Sequence, residues 1–155
     1  MLKHAKGNLL DMAEAGEFDI VVQGCNCFCA MGGGIAKEIA ARFPQAVLAD
    51  NETERGDYNK LGNYTVARAN VAEFDIVNAY TQYSTSRAGE DVFEYNAFAL
   101  ILQKLEHAFG DKRIGLPYIG MGLAGGKKEV IIPMIEYFAT TVSAKGGSVT
   151  LVEFQ

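Results

Sequence analysis

Two glycine clusters constrain this chain more than any other feature. Gly32, Gly33 and Gly34 are consecutive, and Gly120, Gly122, Gly125 and Gly126 crowd a second short stretch. Each cluster lies at a seam where a β-rich run gives way to a helical pattern, so these glycines do not read as a linker. In an open α/β sheet, ligands bind beyond the carboxyl ends of the strands. Backbone without side chains lets successive N–H groups face an anion there, and the start of a following helix adds the positive end of its dipole. One such loop reads as a phosphate cradle, and two at equivalent positions suit a diphosphate. Tight turning is the alternative use of the same residues.

The flanking pattern is that of an α/β chain. Residues 2–6, 19–23, 63–67, 74–80, 113–116 and 148–154 are short β-rich runs, the second ending at Gly24. Paired apolar residues such as Val21-Val22 suit strands covered on both faces. Between them, Ile35, Ile39 and Phe43 recur every four residues, with Glu38 and Arg42 paired on the other face. Phe93, Ala97, Ile101 and Leu105 form a second stripe, and a third helix is expected over about 129–144, with Pro133 near its first turn. Alternation of this kind predicts a three-layer α/β/α sandwich around a mixed, mostly parallel central sheet, with 63–67 and 74–80 as an antiparallel pair. Residues 1–155 are expected to form one domain.

Charge and cysteine usage narrow the function classes. Nineteen acidic residues against fourteen basic ones give a net charge of −5, which argues against a nucleic-acid binder that relies on a basic surface. No run of about 18 apolar residues and no basic-then-apolar amino terminus is present, so no membrane role and a cytoplasmic location are expected. Cys25, Cys27 and Cys29 are too close together for a disulfide framework. They lack the CxxC spacing and a nearby histidine that zinc would want, His4 and His107 being distant in sequence. The expectation is reduced thiols on an extended buried segment, with no metal and no cofactor.

Two familiar glycine motifs do not fit. Gly120-x-Gly122-x-x-Gly125 matches the dinucleotide fingerprint in letters, but it falls late in the chain with one strand to follow. Gly126-Lys127 lacks the earlier glycine of a nucleotide-triphosphate loop, and Lys128 stands where Ser or Thr would hold magnesium.

Gly7-Asn8 after an opening strand, CNCFCAMGGGIA after a second strand and IGMGLAGG late in the chain together resemble a macro domain. The stretches YNKLGNYTVA and VNAYTQY strengthen the likeness, which covers nearly the whole chain. It is nearest to the compact branch that includes ADP-ribose 1″-phosphate phosphatases and related bacterial and phage proteins. The resemblance implies ADP-ribose or a derivative as ligand, with ADP-ribosylated protein as a candidate partner. It places Asn26 against the distal ribose, as the candidate catalytic residue. Gly32, Gly33, Gly34 and Ile35 match the first diphosphate loop, flanked by Gly24, Cys25 and Met31. Gly120, Met121, Gly122, Leu123 and Ala124 match the second. Asn8, beside Leu9, stands where many macro domains carry an aspartate that reads the adenine amino group, and its amide oxygen is expected to accept that bond. Phe154 is the candidate for stacking on adenine, a terminal core Phe being the alternative.

Departures fall where hydrolysis would be decided. The hydrolase branches carry an acid after the glycine run, or a lysine and an aspartate elsewhere; here those places hold Ala36 or Lys37, Gln82 and Ala124. Lys127-Lys128 stand where near relatives have Asp-Trp, and read as solvated surface or as a seat for a further phosphate. Neither loop contains Asp, Glu or His to move a proton. The expected activity is binding with slow hydrolysis of an ADP-ribose derivative, in which Asn26 orients the distal ribose or a water and loop N–H groups stabilise phosphate charge. A non-catalytic reader or sink is the alternative. Intact glycine loops argue against a domain that has lost its ligand.

Overall fold

The computed structural model describes residues 1–69, 73–85 and 91–155. In chain order the elements are β1 (Lys3–Gly7), α1 (Leu9–Glu14), β2 (Ile20–Cys25), α2 (Gly34–Arg42), α3 (Pro44–Asn51), a single 3-10 turn (Tyr58–Lys60), β3 (Tyr64–Ala69), β4 (Phe74–Tyr80), α4 (Tyr95–Phe109), β5 (Arg113–Leu116), α5 (Lys128–Ala144) and β6 (Ser148–Phe154). The strands form one sheet in the order β1-β6-β5-β2-β4-β3. All neighbours are parallel except β3 and β4, which are antiparallel as expected, with Tyr64 opposite Ala79 and Ala69 opposite Phe74. The link over 70–72 lies outside the described residues.

Strand periodicity divides the core in two. Successive side chains leave opposite faces of a strand. Ile20 and Val22 therefore join a cluster with Phe98, Ile101, Leu105, Ile131, Ile135 and Phe138 of α4 and α5. Val21 enters a second cluster with Leu10, Ile39, Phe43 and Ala46 on the α1–α3 side. Leu151 and Val152 of β6 split in the same way. Both faces are covered, which is the predicted three-layer sandwich.

Two short helices carry no periodic signal long enough to read. α1 is six residues and is nucleated by Asn8, whose side-chain oxygen accepts Leu10 N–H and Asp11 N–H, each at 3.0 Å. α3 starts with Pro44 at its first position, where a missing N–H costs nothing. Pro133 corrects an expectation. It is the sixth residue of α5 rather than a first-turn residue, so the Glu129 carbonyl loses its helical donor.

The strand order sets where a ligand can lie. β2 and β5 are adjacent and parallel, so the loops that follow them leave the same end of the sheet from neighbouring strands. The ends of β1 and β6 lie beside them, with Gly7 in register with Phe154.

Candidate functional site

The first loop runs from the end of β2 to α2. Gly33 is the residue preceding α2, with φ −145° and ψ 158°, an extended geometry open to any side chain. Of the three consecutive glycines, Gly34 is the one in the left-handed region, at φ 56°. A Cβ added at Gly32 or Gly33 would meet no protein atom within 4 Å. Neither sterics nor backbone angle requires glycine at those two positions, so tight turning does not account for them. Gly122 in the second loop is the same, with open space where a side chain would stand.

Gly120 and Gly126 have a structural reason instead. Gly120 adopts φ 73° against the Phe93 ring, and the Gly126 N–H closes the loop onto the Gly120 carbonyl at 2.7 Å. Buried Ala124 anchors the loop with its carbonyl, which accepts Val92 N–H at 2.9 Å and Phe93 N–H at 3.1 Å.

Backbone donors are left over on both loops. Among the described residues, no protein acceptor takes the N–H groups of Gly32, Gly33, Gly34 and Ile35, or of Gly120, Gly122, Leu123 and Ala124. Donors at a helix start are the ordinary seat of an anion. α2 begins within the first set and adds its dipole there.

A cavity of about 400 Å³ adjoins the first loop, at the ends of β1 and β6. Gly7, Asn8, Leu9, Gly34, Ile35, Glu38, Pro117, Val152 and Phe154 line it. Phe154 is 77% exposed, so the alternative of a terminal core Phe is corrected. A groove of about 430 Å³ between α4 and α5 is slightly larger, but it lies on the helical flank rather than at the strand ends.

Other expected site residues are placed differently. The Asn8 oxygen, expected to accept from adenine, caps α1, and its amide nitrogen donates to Glu38 Oε1 at 3.3 Å. Asn26 organises its own loop: Oδ1 accepts Phe28 N–H at 2.9 Å, and Nδ2 donates to the Ala30 carbonyl at 2.9 Å. Its second N–H and second lone pair are what it has to offer a ligand. Met31, half-buried in the loop, packs against Cys25, Cys27 and Tyr80. Gly24 lies within β2, and a Cβ there would press on Thr81 Oγ1. Met121 is half-buried, and Leu123 is exposed on the second loop.

The cysteines depart from one continuous extended segment. Cys25 closes β2, whereas Cys27 and Cys29 lie in the loop, Cys29 at φ 55° and only half-buried. Burial pushes the Cys25 thiol well above its ordinary range and raises Cys27 as well. Neither is a nucleophile in waiting. Cys29 Sγ donates to the Asp50 carbonyl at 3.3 Å. Lys60, almost wholly buried, donates to the Cys27 carbonyl at 3.0 Å and lies over the Tyr80 ring. These contacts tie the loop to the 3-10 turn and to β4.

Residues that the sequence reading passed over are Glu38, Pro117 and Val152. Glu38 does pair with Arg42, at 2.9 Å, but that helix face borders the cavity. Lys127 and Lys128 are exposed at the start of α5, with the Lys128 ammonium over the Tyr118 ring. Among the described residues, no three His, Cys, Asp or Glu side chains gather as a metal site needs, and no helix is long and apolar enough to cross a membrane.

No protein-family model matches the chain. It is 30% identical over 148 residues to an uncharacterized 17.5 kDa protein from the tk-vs intergenic region of Enterobacteria phage T4, covering 90% of this chain and 91% of that protein. Among solved structures it is similar to the macrodomain of Mycobacterium tuberculosis DarG, with TM-score 0.74 and 17% identity over 98% of this chain and 97% of the other. It is also similar to a Trypanosoma brucei macrodomain in complex with ADP-ribose, with TM-score 0.68 and 12% identity over 99% of this chain and 63% of that one.

Proposed function

We propose that this chain, which has the macrodomain fold and belongs to the family of the 17.5 kDa phage T4 protein, binds ADP-ribose or a derivative of it at the carboxyl ends of its parallel strands. One observation carries the reading. Two loops from adjacent strands offer backbone N–H groups that have no protein acceptor among the described residues, and Gly32, Gly33 and Gly122 leave open space that the fold itself does not need. A diphosphate fits that chemistry, since it brings dispersed negative charge and tolerates no side chain between itself and the backbone. The cavity beside the first loop is apolar on Leu9, Ile35, Pro117, Val152 and Phe154, as a nucleobase requires. The solved macrodomain with ADP-ribose supports this choice of ligand.

Binding is better supported than turnover. Neither loop carries an acid or base, Asn26 holds its own loop, and burial keeps Cys25 and Cys27 protonated. Positioning and N–H stabilisation of phosphate charge are the catalytic means left, which corresponds to slow hydrolysis at most. The test incubates the protein with ADP-ribose 1″-phosphate and with ADP-ribosylated protein, in separate reactions, and follows free ADP-ribose. Stoichiometric binding of ADP-ribose with no release above background supports a reader or sink. Multiple turnovers would overturn that and restore the hydrolase.

A further inference from the structure

We propose that Glu38 determines which base this site accepts, by taking a hydrogen bond from an exocyclic amino group; the inference rests on the nucleotide-binding reading above. Asn8 cannot do this with its oxygen. Oδ1 already accepts two backbone N–H groups of α1, from Leu10 and Asp11, which uses both lone pairs of a carbonyl oxygen. The same cap fixes the amide orientation and turns Nδ2 toward Glu38.

Glu38 lines the same cavity. Its Oε1 accepts Arg42 Nη1 at 2.9 Å and Asn8 Nδ2 at 3.3 Å. Arg42 is itself held by Asp11 and Glu14. The carboxylate is thus anchored through one oxygen from two directions, while Oε2 has no protein donor among the described residues. The rest of the lining is largely hydrocarbon and the Phe154 ring. A base entering this cavity meets one anionic acceptor and, beside it, the second N–H of Asn8. Adenine offers a donor at its amino group and an acceptor at the neighbouring ring nitrogen, which matches that pair. Hypoxanthine has a carbonyl in place of the amino group and sets an acceptor against the carboxylate.

The test measures binding of ADP-ribose and of inosine diphosphate ribose to the wild-type chain and to Glu38→Gln by calorimetry, with melting temperatures alongside. The wild type is expected to prefer ADP-ribose by about tenfold or more, because a mismatched acceptor leaves the carboxylate unpaired. Glutamine keeps an oxygen for Arg42 and Asn8 while its amide can also donate. Glu38→Gln should therefore bring the two ligands within about threefold of each other, with the melting temperature unchanged. An unaltered preference in the variant overturns the assignment, as does an equal loss of both ligands with a lower melting temperature. A wild type that binds both ligands equally overturns Glu38 as the reader and leaves the binding site standing. A wild type that binds neither overturns the site and Glu38 together.

Discussion

Substituting Gly33 by Glu separates a ligand-binding glycine from a merely structural one. The backbone there is extended, at φ −145°, and a Cβ meets nothing within 4 Å, so the fold tolerates the side chain. Its stability cost is the loss of a favourable residue at a helix cap, about 0.5–1 kcal/mol. For a chain of this length that lowers the melting temperature by no more than about 4 °C. The effect on a bound diphosphate is larger. A carboxylate about 5 Å from a phosphate charge, at an effective dielectric near 20, costs about 3 kcal/mol, or about a hundredfold in affinity. Calorimetry with ADP-ribose and a thermal melt, run on the same preparation, measure both quantities. Gly33→Ala, which adds bulk without charge, should fall between wild type and Glu. A folded Gly33→Glu variant that binds ADP-ribose as wild type does would refute the two-loop model.

Phe154→Ala should weaken ADP-ribose binding by about 1–3 kcal/mol, the usual contribution of a base stacked on an aromatic ring. It should leave the melting temperature within about 2 °C of wild type, because the ring is exposed. In the native protein, alkylation followed by mass spectrometry should label Cys29 first. Cys25 and Cys27, buried with raised thiol pKa, should react only on unfolding, and early labelling of Cys25 would contradict that burial. The guanidinium of Arg113 clasps Asp19 through Nε at 3.1 Å and Nη2 at 2.9 Å, and holds its carboxyl below the ordinary range. That contribution is present above the unfolded carboxylate pKa and is lost as pH falls through the folded one. Asp19→Asn should cost about 1 kcal/mol at neutral pH, the pair being partly exposed, and should make stability fall less steeply below about pH 4. An unchanged acid limb in the melting curves would count against it.

What the sequence made legible follows from length and period. α2, α4 and α5 each carry an apolar residue every three or four positions over two turns or more, and β4, β5 and β6 are bounded by turn residues or charge. α1 is too short to show a period. Its one signal is Asn8, a residue type that serves helix caps and ligands equally, and the cap claims its oxygen. α3 follows α2 across Phe43 without a loop and is announced only by Pro44. Strand order is not written locally, since nothing in residues 148–154 says that they insert between β1 and β5.

The glycine loops were visible because glycine is unusual at such density. The division of labour within them was not: only backbone angles show that Gly34 and Gly120 adopt positive φ while Gly32, Gly33 and Gly122 do not. Glu38 was correctly paired with Arg42, but no pattern along α2 tells that this face borders the cavity at the ends of β1 and β6.

Backbone amide resonances followed during an ADP-ribose titration test the central claim most directly, because the donors at issue are themselves the observed nuclei. The account predicts the largest shifts at Gly32, Gly33, Gly34 and Ile35 and at Gly120, Gly122 and Leu123, with further shifts around Asn8 and Phe154, unchanged by a metal chelator. Shifts confined to the groove between α4 and α5, around Leu102, Tyr137 and Thr141, would contradict it, as would no shift at millimolar ADP-ribose.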